Sequence, residues 1–292
     1  MTIIDGKKTA ADIREELKQK IDKLKDEGRN VPGLVTILVG EDPASQVYVR
    51  SKIKDCQEIG MRTKAENHTA DISENDLLAL VKKYNEDPDF HGILVQLPLP
   101  KQIDENKIIE AISPKKDVDG FSPVSIGNLV IGKDTFASCT PAGIQELLIR
   151  YGIETKGKHV VVLGRSNIVG KPIANIMLQK KEHANSVVTI CHSAAKNLQD
   201  YTLQADILIA AIGSPEFVKA DMVKEGVVVI DVGINRIDDP SRSRGYKLVG
   251  DVDYENVSKK SSYITPVPGG VGPMTRAMLL QNTFKAYQKY GE

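Results

Sequence analysis

A tyrosine and a lysine one helical turn apart, Tyr48 and Lys52, are the first residues whose types and spacing suggest chemistry. Asp42-Pro43 ahead of them reads as a helix start, a capping carboxylate followed by proline at the first helical position. On a wheel of about 100° per residue, Val49, Ile53, Cys56 and Ile59 form one apolar stripe; Lys52 falls inside it, while Arg50 and Lys54 lie opposite. Burial disfavours a lysine's charged form, which suits it to proton transfer near neutral pH. Tyr48 lies beside the stripe and can reach the same ligand. The same spacing also fits a lysine snorkelling at the stripe's edge. Gln96 is the only polar side chain in the run 93–97, which ends in Pro98-Leu99-Pro100. A buried amide needs partners, so Gln96 is either a structural bridge or part of a site. Asp117 and Asp119 bracket Val118. Such a pair can hold a positive or hydrogen-bonding ligand, although simple turn formation is the better reading of the residues alone.

A second set lies further on. The strand-like run 158–163 leads directly into Gly164-Arg165-Ser166-Asn167-Ile168-Val169-Gly170-Lys171-Pro172, and a helix is expected over 173–179. Strand, glycine-containing turn and helix aim backbone N–H groups at a phosphate. Ser166 stands where a GxGxxG fingerprint has its middle glycine, and a structural turn fits about as well. A GxSxG nucleophile elbow fits less well, because Ile168 occupies a position that needs a small residue. The next strand ends Cys191-His192-Ser193 without the acid that usually receives an NAD ribose. Arg165 suits a 2′-phosphate, which favours NADP over a merely solvated arginine. No HExxH or similar histidine pair occurs, so no catalytic metal is expected.

These residues need a frame. Short β-branched runs at 34–39, 92–97, 159–163, 187–191, 207–212 and 227–231 alternate with helical stretches, the pattern of βαβ units and mainly parallel sheets. Proline and glycine punctuate residues 114–141, and Cys139-Thr140-Pro141 is expected to open a helix with Thr140 as its cap. A second break, Thr265-Pro266-Val267-Pro268-Gly269-Gly270-Val271-Gly272-Pro273, precedes a long amphipathic helix over 274–290. The expected division is a catalytic domain of residues 1–140 completed by 270–292, with a nucleotide-binding domain inserted as 141–269.

At 292 residues the chain has room for two domains. Lys plus Arg and Asp plus Glu each total 39, so no basic surplus favours nucleic acid or anionic lipid. Cys56, Cys139 and Cys191 are odd in number, far apart and without a CxxC pair, which fits a reducing, cytoplasmic setting. The start Met1-Thr2-Ile3-Ile4-Asp5-Gly6 carries no secretory pattern, and no apolar run is long enough to span a bilayer.

Taken together, Tyr48-Val49-Arg50-Ser51-Lys52, Val95-Gln96-Leu97-Pro98-Leu99-Pro100, Lys116-Asp117-Val118-Asp119-Gly120, the segment from Gly164 to Pro172, Asp231-Val232-Gly233-Ile234-Asn235 and the Pro266-to-Thr275 segment resemble the signatures of the bifunctional methylenetetrahydrofolate dehydrogenase/cyclohydrolase family. They occur in the family's order and span nearly the whole chain. The resemblance implies two α/β domains flanking a cleft, the second Rossmann-like and doubly wound, usually in a homodimer. It implies Lys52 as the catalytic lysine, Gln96 as its hydrogen-bonding partner, Tyr48 against the folate and Asp119 holding the pterin. It implies Gly164, Arg165, Ser166, Ser193 and Ile234 at an NADP site, and Pro268, Gly269 and Gly270 bordering the folate. One departure is that Ala194 and Ala195 follow Ser193, where the family often has a basic residue and threonine.

The implied chemistry has two steps. Hydride leaves the methylene carbon that bridges two folate nitrogens, pushed by their lone pairs, so orientation supplies most of the catalysis. Water then adds to the methenyl cation, a step that needs proton transfer, for which Lys52 is suited. A dehydrogenase without the hydrolytic step is the nearest rival. Short-chain dehydrogenases share Tyr-x-x-x-Lys, but their nucleotide turn precedes that pair, whereas Gly164 follows Lys52. A non-catalytic nucleotide-binding regulator would have no reason to bury Lys52 beside Tyr48.

Overall fold

The computed structural model describes residues 1–241 and 245–291. The elements of the first half are β1 (Thr2–Ile3), α1 (Gly6–Asp26), β2 (Gly33–Val39), α2 (Pro43–Glu58), β3 (Arg62–His68), α3 (Glu74–Glu86), β4 (Gly92–Val95), α4 (Glu105–Ala111) and α5 (Pro123–Val130). The second half continues with α6 (Cys139–Arg150), β5 (His159–Leu163), α7 (Gly170–Met177), β6 (Val187–Cys191), α8 (Leu198–Thr202), β7 (Ile207–Ala210) and β8 (Val228–Asp231). It ends with β9 (Asn235–Asp238), β10 (Tyr246–Val249), α9 (Tyr254–Val257), β11 (Tyr263–Ile264) and α10 (Val271–Tyr290). Two compact units result, one of residues 1–10 with 140–275 and one of 11–139 with 276–292.

The unit holding residues 11–139 has a three-stranded parallel sheet in the order β3-β2-β4. Every residue of β2 and β4 is buried, which is why both read as plain apolar runs. β3 is one of the two edge strands, and its sequence, Arg-Thr-Lys-Ala-Glu-Asn-His, has no apolar pattern to announce it. Val35, Ile37, Ile93 and Val95 pack with Leu77, Val81 and Tyr84 of α3 in one apolar core. In the later part of α10, the Tyr287 ring meets His91 edge-on at 5.0 Å.

The other unit has a six-stranded, wholly parallel sheet in the order β1-β11-β8-β7-β5-β6. From β5 the chain moves first to β6 on one side and then to β7 on the other. The order therefore reverses between β5 and β7, the place where doubly wound sheets bind ligands beyond their strands' carboxyl ends. Leu163, Cys191, Ala210 and Asp231 lie in one row across that end of the sheet. The fold is a two-domain α/β fold with a Rossmann-like nucleotide domain.

Three sequence expectations are adjusted. β1 pairs with β11, so the first ten residues belong with the nucleotide sheet rather than with 11–139. Thr140 lies inside α6 rather than capping it, and its hydroxyl meets that of Thr275 at 2.8 Å. The strand expected over 207–212 stops at Ala210, because the N–H groups of Ile212 and Gly213 turn aside to the Asp251 carboxylate.

Candidate functional site

In the unit of residues 11–139, the candidate residues come from three elements. α2 begins as expected, with the Asp42 carboxylate accepting the Ser45 N–H at 2.7 Å and Pro43 next. Val49, Cys56 and Ile59 are buried, which fixes the helix's orientation and leaves Lys52 half-buried at the stripe's side. Tyr48 is half exposed. Lys52 Nζ donates to Gln96 Oε1 at 3.0 Å, and Gln96 Nε2 donates to the Leu97 carbonyl at 2.6 Å. Gln96 follows β4 directly, and its own N–H still reaches Ile37 O across the sheet at 2.9 Å. The amide is therefore held at its root by the sheet and at its tip by its neighbour's carbonyl, which presents Oε1 to the lysine.

The two connector aspartates separate in role. Asp117 is buried and accepts from the N–H groups of Gly120, Phe121 and Ser122 and from the Ser125 hydroxyl, at 2.6–3.2 Å. It builds the loop. Asp119 on the same loop is left for other work. Burial raises its carboxyl pKa, opposed by the positive charge of Lys52 and by the Cys139 thiol, while the Asp117 charge adds to the rise. Burial beside Asp119 in turn pushes the Cys139 thiol far up, so it is a hydrogen-bonding group and not a nucleophile. Lys52 and Gln96 thus form one hydrogen-bonded pair whose positive charge is felt by Asp119, with Tyr48 one turn along α2. The arrangement can move a proton and can bind a planar hydrogen-bonding ring.

In the other unit, Gly164, Arg165 and Ser166 follow β5. Gly164 has φ +129°, and a Cβ there would lie 2.1 Å from the Ala211 carbonyl oxygen, so no side chain fits. The Ser166 hydroxyl accepts from the N–H groups of Val169 at 3.1 Å and Gly170 at 3.3 Å, at the start of α7. Arg165 and Ser166 are exposed. Ser193, at the end of β6, lines a hollow of about 710 Å³ with Lys196 and Lys219. Ile234, after β8, is about half exposed. Pro268, Gly269 and Gly270 follow β11 at the same end of the sheet, and the Gly269 carbonyl accepts the Lys7 N–H at 2.9 Å. A glycine turn too tight for a side chain, a helix start, an exposed guanidinium and an exposed hydroxyl in one row fit a dinucleotide phosphate.

Sequence reasoning assigned no role to Asp231, Asp251 or Cys139. Asp231 and Asp251 are buried polar residues at the sheet's carboxyl end. Their signal was an acid beside glycine at a strand end, Asp231-Val232-Gly233 and Gly250-Asp251, which is also ordinary turn composition. Among the described residues no group of three His, Cys, Asp or Glu side chains could hold a metal ion, and no helix is long and apolar enough to cross a membrane.

Comparison with known proteins agrees with this geometry. Residues 4–119 match the model of the tetrahydrofolate dehydrogenase/cyclohydrolase catalytic domain, and residues 138–291 match that family's NAD(P)-binding domain. The chain is 61% identical over 291 residues to the bifunctional protein FolD of Chlorobium limicola, covering 99% of this chain and 98% of that one. The structure of the bifunctional methylenetetrahydrofolate dehydrogenase/cyclohydrolase FolD of Campylobacter jejuni is similar with a TM-score of 0.93 at 51% identity, covering 99% of each chain. That of the Trypanosoma brucei methylenetetrahydrofolate dehydrogenase-cyclohydrolase, complexed with NADP cofactor and inhibitor, has a TM-score of 0.92 at 39% identity, covering 99% of this chain and 98% of that one. With both halves matched by the family's models and nearly the full length shared with its members, the chain belongs to the tetrahydrofolate dehydrogenase/cyclohydrolase family.

Proposed function

We propose that this enzyme oxidises methylenetetrahydrofolate to methenyltetrahydrofolate with NADP and hydrolyses the product to 10-formyltetrahydrofolate, a one-carbon donor for purine biosynthesis. The observation that carries the reading is the Lys52–Gln96 hydrogen bond beside Asp119, on a chain of this family. Asp119 anchors the pterin by hydrogen bonding, and the Tyr48 ring lies against the folate. The Pro268-Gly269-Gly270 loop contacts the folate as well. When bound, NADP supplies the acceptor for the hydride that leaves the methylene carbon. The chain's part in that step is to orient the reactants and exclude water. In the hydrolysis, water adds to the methenyl carbon, one carbon–nitrogen bond breaks, and Lys52 carries the proton that water releases. Gln96 keeps the Lys52 amine directed while its proton comes and goes.

On the cofactor side, Gly164 and Ser166 receive the pyrophosphate, Ile234 packs against the nucleotide, and Arg165 with Ser193 meets the 2′-phosphate. Lys196, on the same hollow as Ser193, supplies positive charge that Ala194 and Ala195 do not. NADP is favoured over NAD on these grounds. No metal, nucleic acid or membrane enters the scheme, and the enzyme works in the cytoplasm as a homodimer. The test is an absorbance assay with methylenetetrahydrofolate and each nicotinamide cofactor, followed by decay of added methenyltetrahydrofolate without nucleotide. NADPH formation together with catalysed decay is expected; formation without catalysed decay would leave a dehydrogenase alone.

A further inference from the structure

The Asp251 carboxylate is fully buried, yet none of its bonds serves a strand ladder. Oδ2 accepts the N–H of Ile212 at 2.8 Å and that of Gly213 at 2.9 Å, both in the turn after β7. Oδ1 accepts Asn235 Nδ2 at 2.8 Å, at the start of β9 and next to Ile234. Gly233 leaves the room for this, since a Cβ there would sit 2.3 Å from Oδ1. Asp251 is itself held from behind, because Asp231 accepts its N–H at 2.9 Å, that of Val252 at 3.0 Å and that of Gly233 at 3.0 Å.

The consequence reaches the nucleotide turn through peptide geometry. In a trans peptide the N–H and the preceding C=O point in opposite directions. Fixing the Ile212 N–H on Asp251 therefore turns the Ala211 carbonyl the other way, towards the Gly164 α-carbon. Gly164 follows β5 and Ala211 follows β7, the two strands that flank the reversal in strand order. One buried carboxylate thus sets three chain segments around the place where a doubly wound sheet takes its nucleotide. A purely structural acid would serve as well at the other end of the sheet.

We infer that Asp251 is a positioning residue for the nucleotide site, a clamp that holds the post-β7 turn and the Ile234–Asn235 segment in the geometry that receives NADP. This rests on the function proposed above. The test uses the full-length chain and reads NADPH affinity by fluorescence, cyclohydrolase rate without nucleotide, and thermal melting. Asp251→Ala removes all three bonds, and Asp251→Asn keeps one acceptor oxygen but turns a second donor on Asn235. Each lost charge-assisted bond weakens an ordered site severalfold or more, so roughly tenfold or greater weakening of NADPH is expected for Asn and more for Ala. The KM for NADP should rise with it while the KM for folate and the nucleotide-free cyclohydrolase rate are retained. Unchanged NADPH affinity in folded Asp251→Asn overturns the clamp, and so does a parallel fall of cyclohydrolase and NADPH binding, which marks a general scaffold. If Asp251→Ala does not fold, the Asn variant alone decides. Wild-type protein that binds no NADPH refutes the functional reading itself, a result distinct from both.

Discussion

Lys52 and Gln96 touch, and Asp119 feels the Lys52 charge, yet the three are proposed to carry different burdens. General acid–base groups contribute about 10²–10⁴-fold to the steps that use them, so Lys52→Met should lower cyclohydrolase activity by at least roughly a hundredfold. Dehydrogenase activity, which needs no side-chain base, should fall far less. Paired assays on one preparation decide it, and a parallel fall with folate binding intact would end the division of labour. Arg165 is the residue proposed for cofactor choice. Losing a charge-assisted bond of about 1.5–3 kcal/mol should weaken NADP by about ten- to a hundredfold in Arg165→Ala and leave NAD nearly unchanged. An equal loss for both cofactors would move Arg165 to the shared pyrophosphate or the scaffold. At this scale the sequence was highly legible: Lys52 and Gln96 were singled out by polarity inside apolar patterns, and they meet at 3.0 Å. What it could not reveal is that Asp117 alone gathers the loop's donors, since Asp117 and Asp119 have the same chemistry and differ in where the loop places them.

That loop is the element whose failure is easiest to forecast. Asp117 has four donors on one buried carboxylate. Asp117→Ala would strand them, at a cost of roughly 3–5 kcal/mol of stability. Asp119→Ala should leave melting nearly cooperative and unshifted while weakening folate binding and both reactions. Denaturant melts and folate titrations of the pair separate loop builder from ligand holder; a variant of Asp119 with normal folate affinity would make it a turn residue too. Elements were visible in the sequence wherever burial imposed a pattern. β2 and β5 match their expected runs to within a residue, since enclosed strands tolerate few polar residues, and β6 matches because its β-branched run persists although it is an exposed edge strand. β3 was hidden because its residues are at most partly buried and show no apolar alternation, and β1 and β11 because two residues are too few to show a period. The end of β7 was misjudged because Ile212 looks like more strand, and only the distant Asp251 takes its N–H away.

For the whole molecule, the buried acids of the nucleotide unit predict an unusual dependence on pH. Burial pushes the Asp231 carboxyl up to about 7, even though the N–H groups of Asp251, Val252 and Gly233 favour its charged form. From about pH 4, the ordinary carboxylate range, up to about 7, the folded chain holds a proton that the unfolded chain has released. The stability this group contributes is complete below that window and is lost as pH rises through 7. Unfolding free energies across the window should therefore slope downward with pH, and the slope should be shallower in Asp231→Asn, which has nothing to titrate there. Equal slopes in the two proteins would mean that Asp231 is already ionised. The two-unit plan was readable from the Pro- and Gly-rich breaks, because proline and glycine interrupt regular elements where the chain turns between units. The allegiance of the first ten residues was not readable, because it depends on β1 finding β11 some 260 positions later.

That long-range pairing has a consequence in time. During synthesis, residues 11–139 emerge well before α10, but Asp55 waits for the Arg276 guanidinium, which meets it at 3.3 Å, and His91 waits for Tyr287. β1 leaves the ribosome before everything else and must stay unpaired until Tyr263 and Ile264 appear. Neither unit can finish before the last tenth of the chain exists, so both close late and nearly together. A ribosome that stalls ahead of α10 would release a chain with a buried carboxylate left uncompensated, and such a product is expected to be a protease substrate rather than a working fragment.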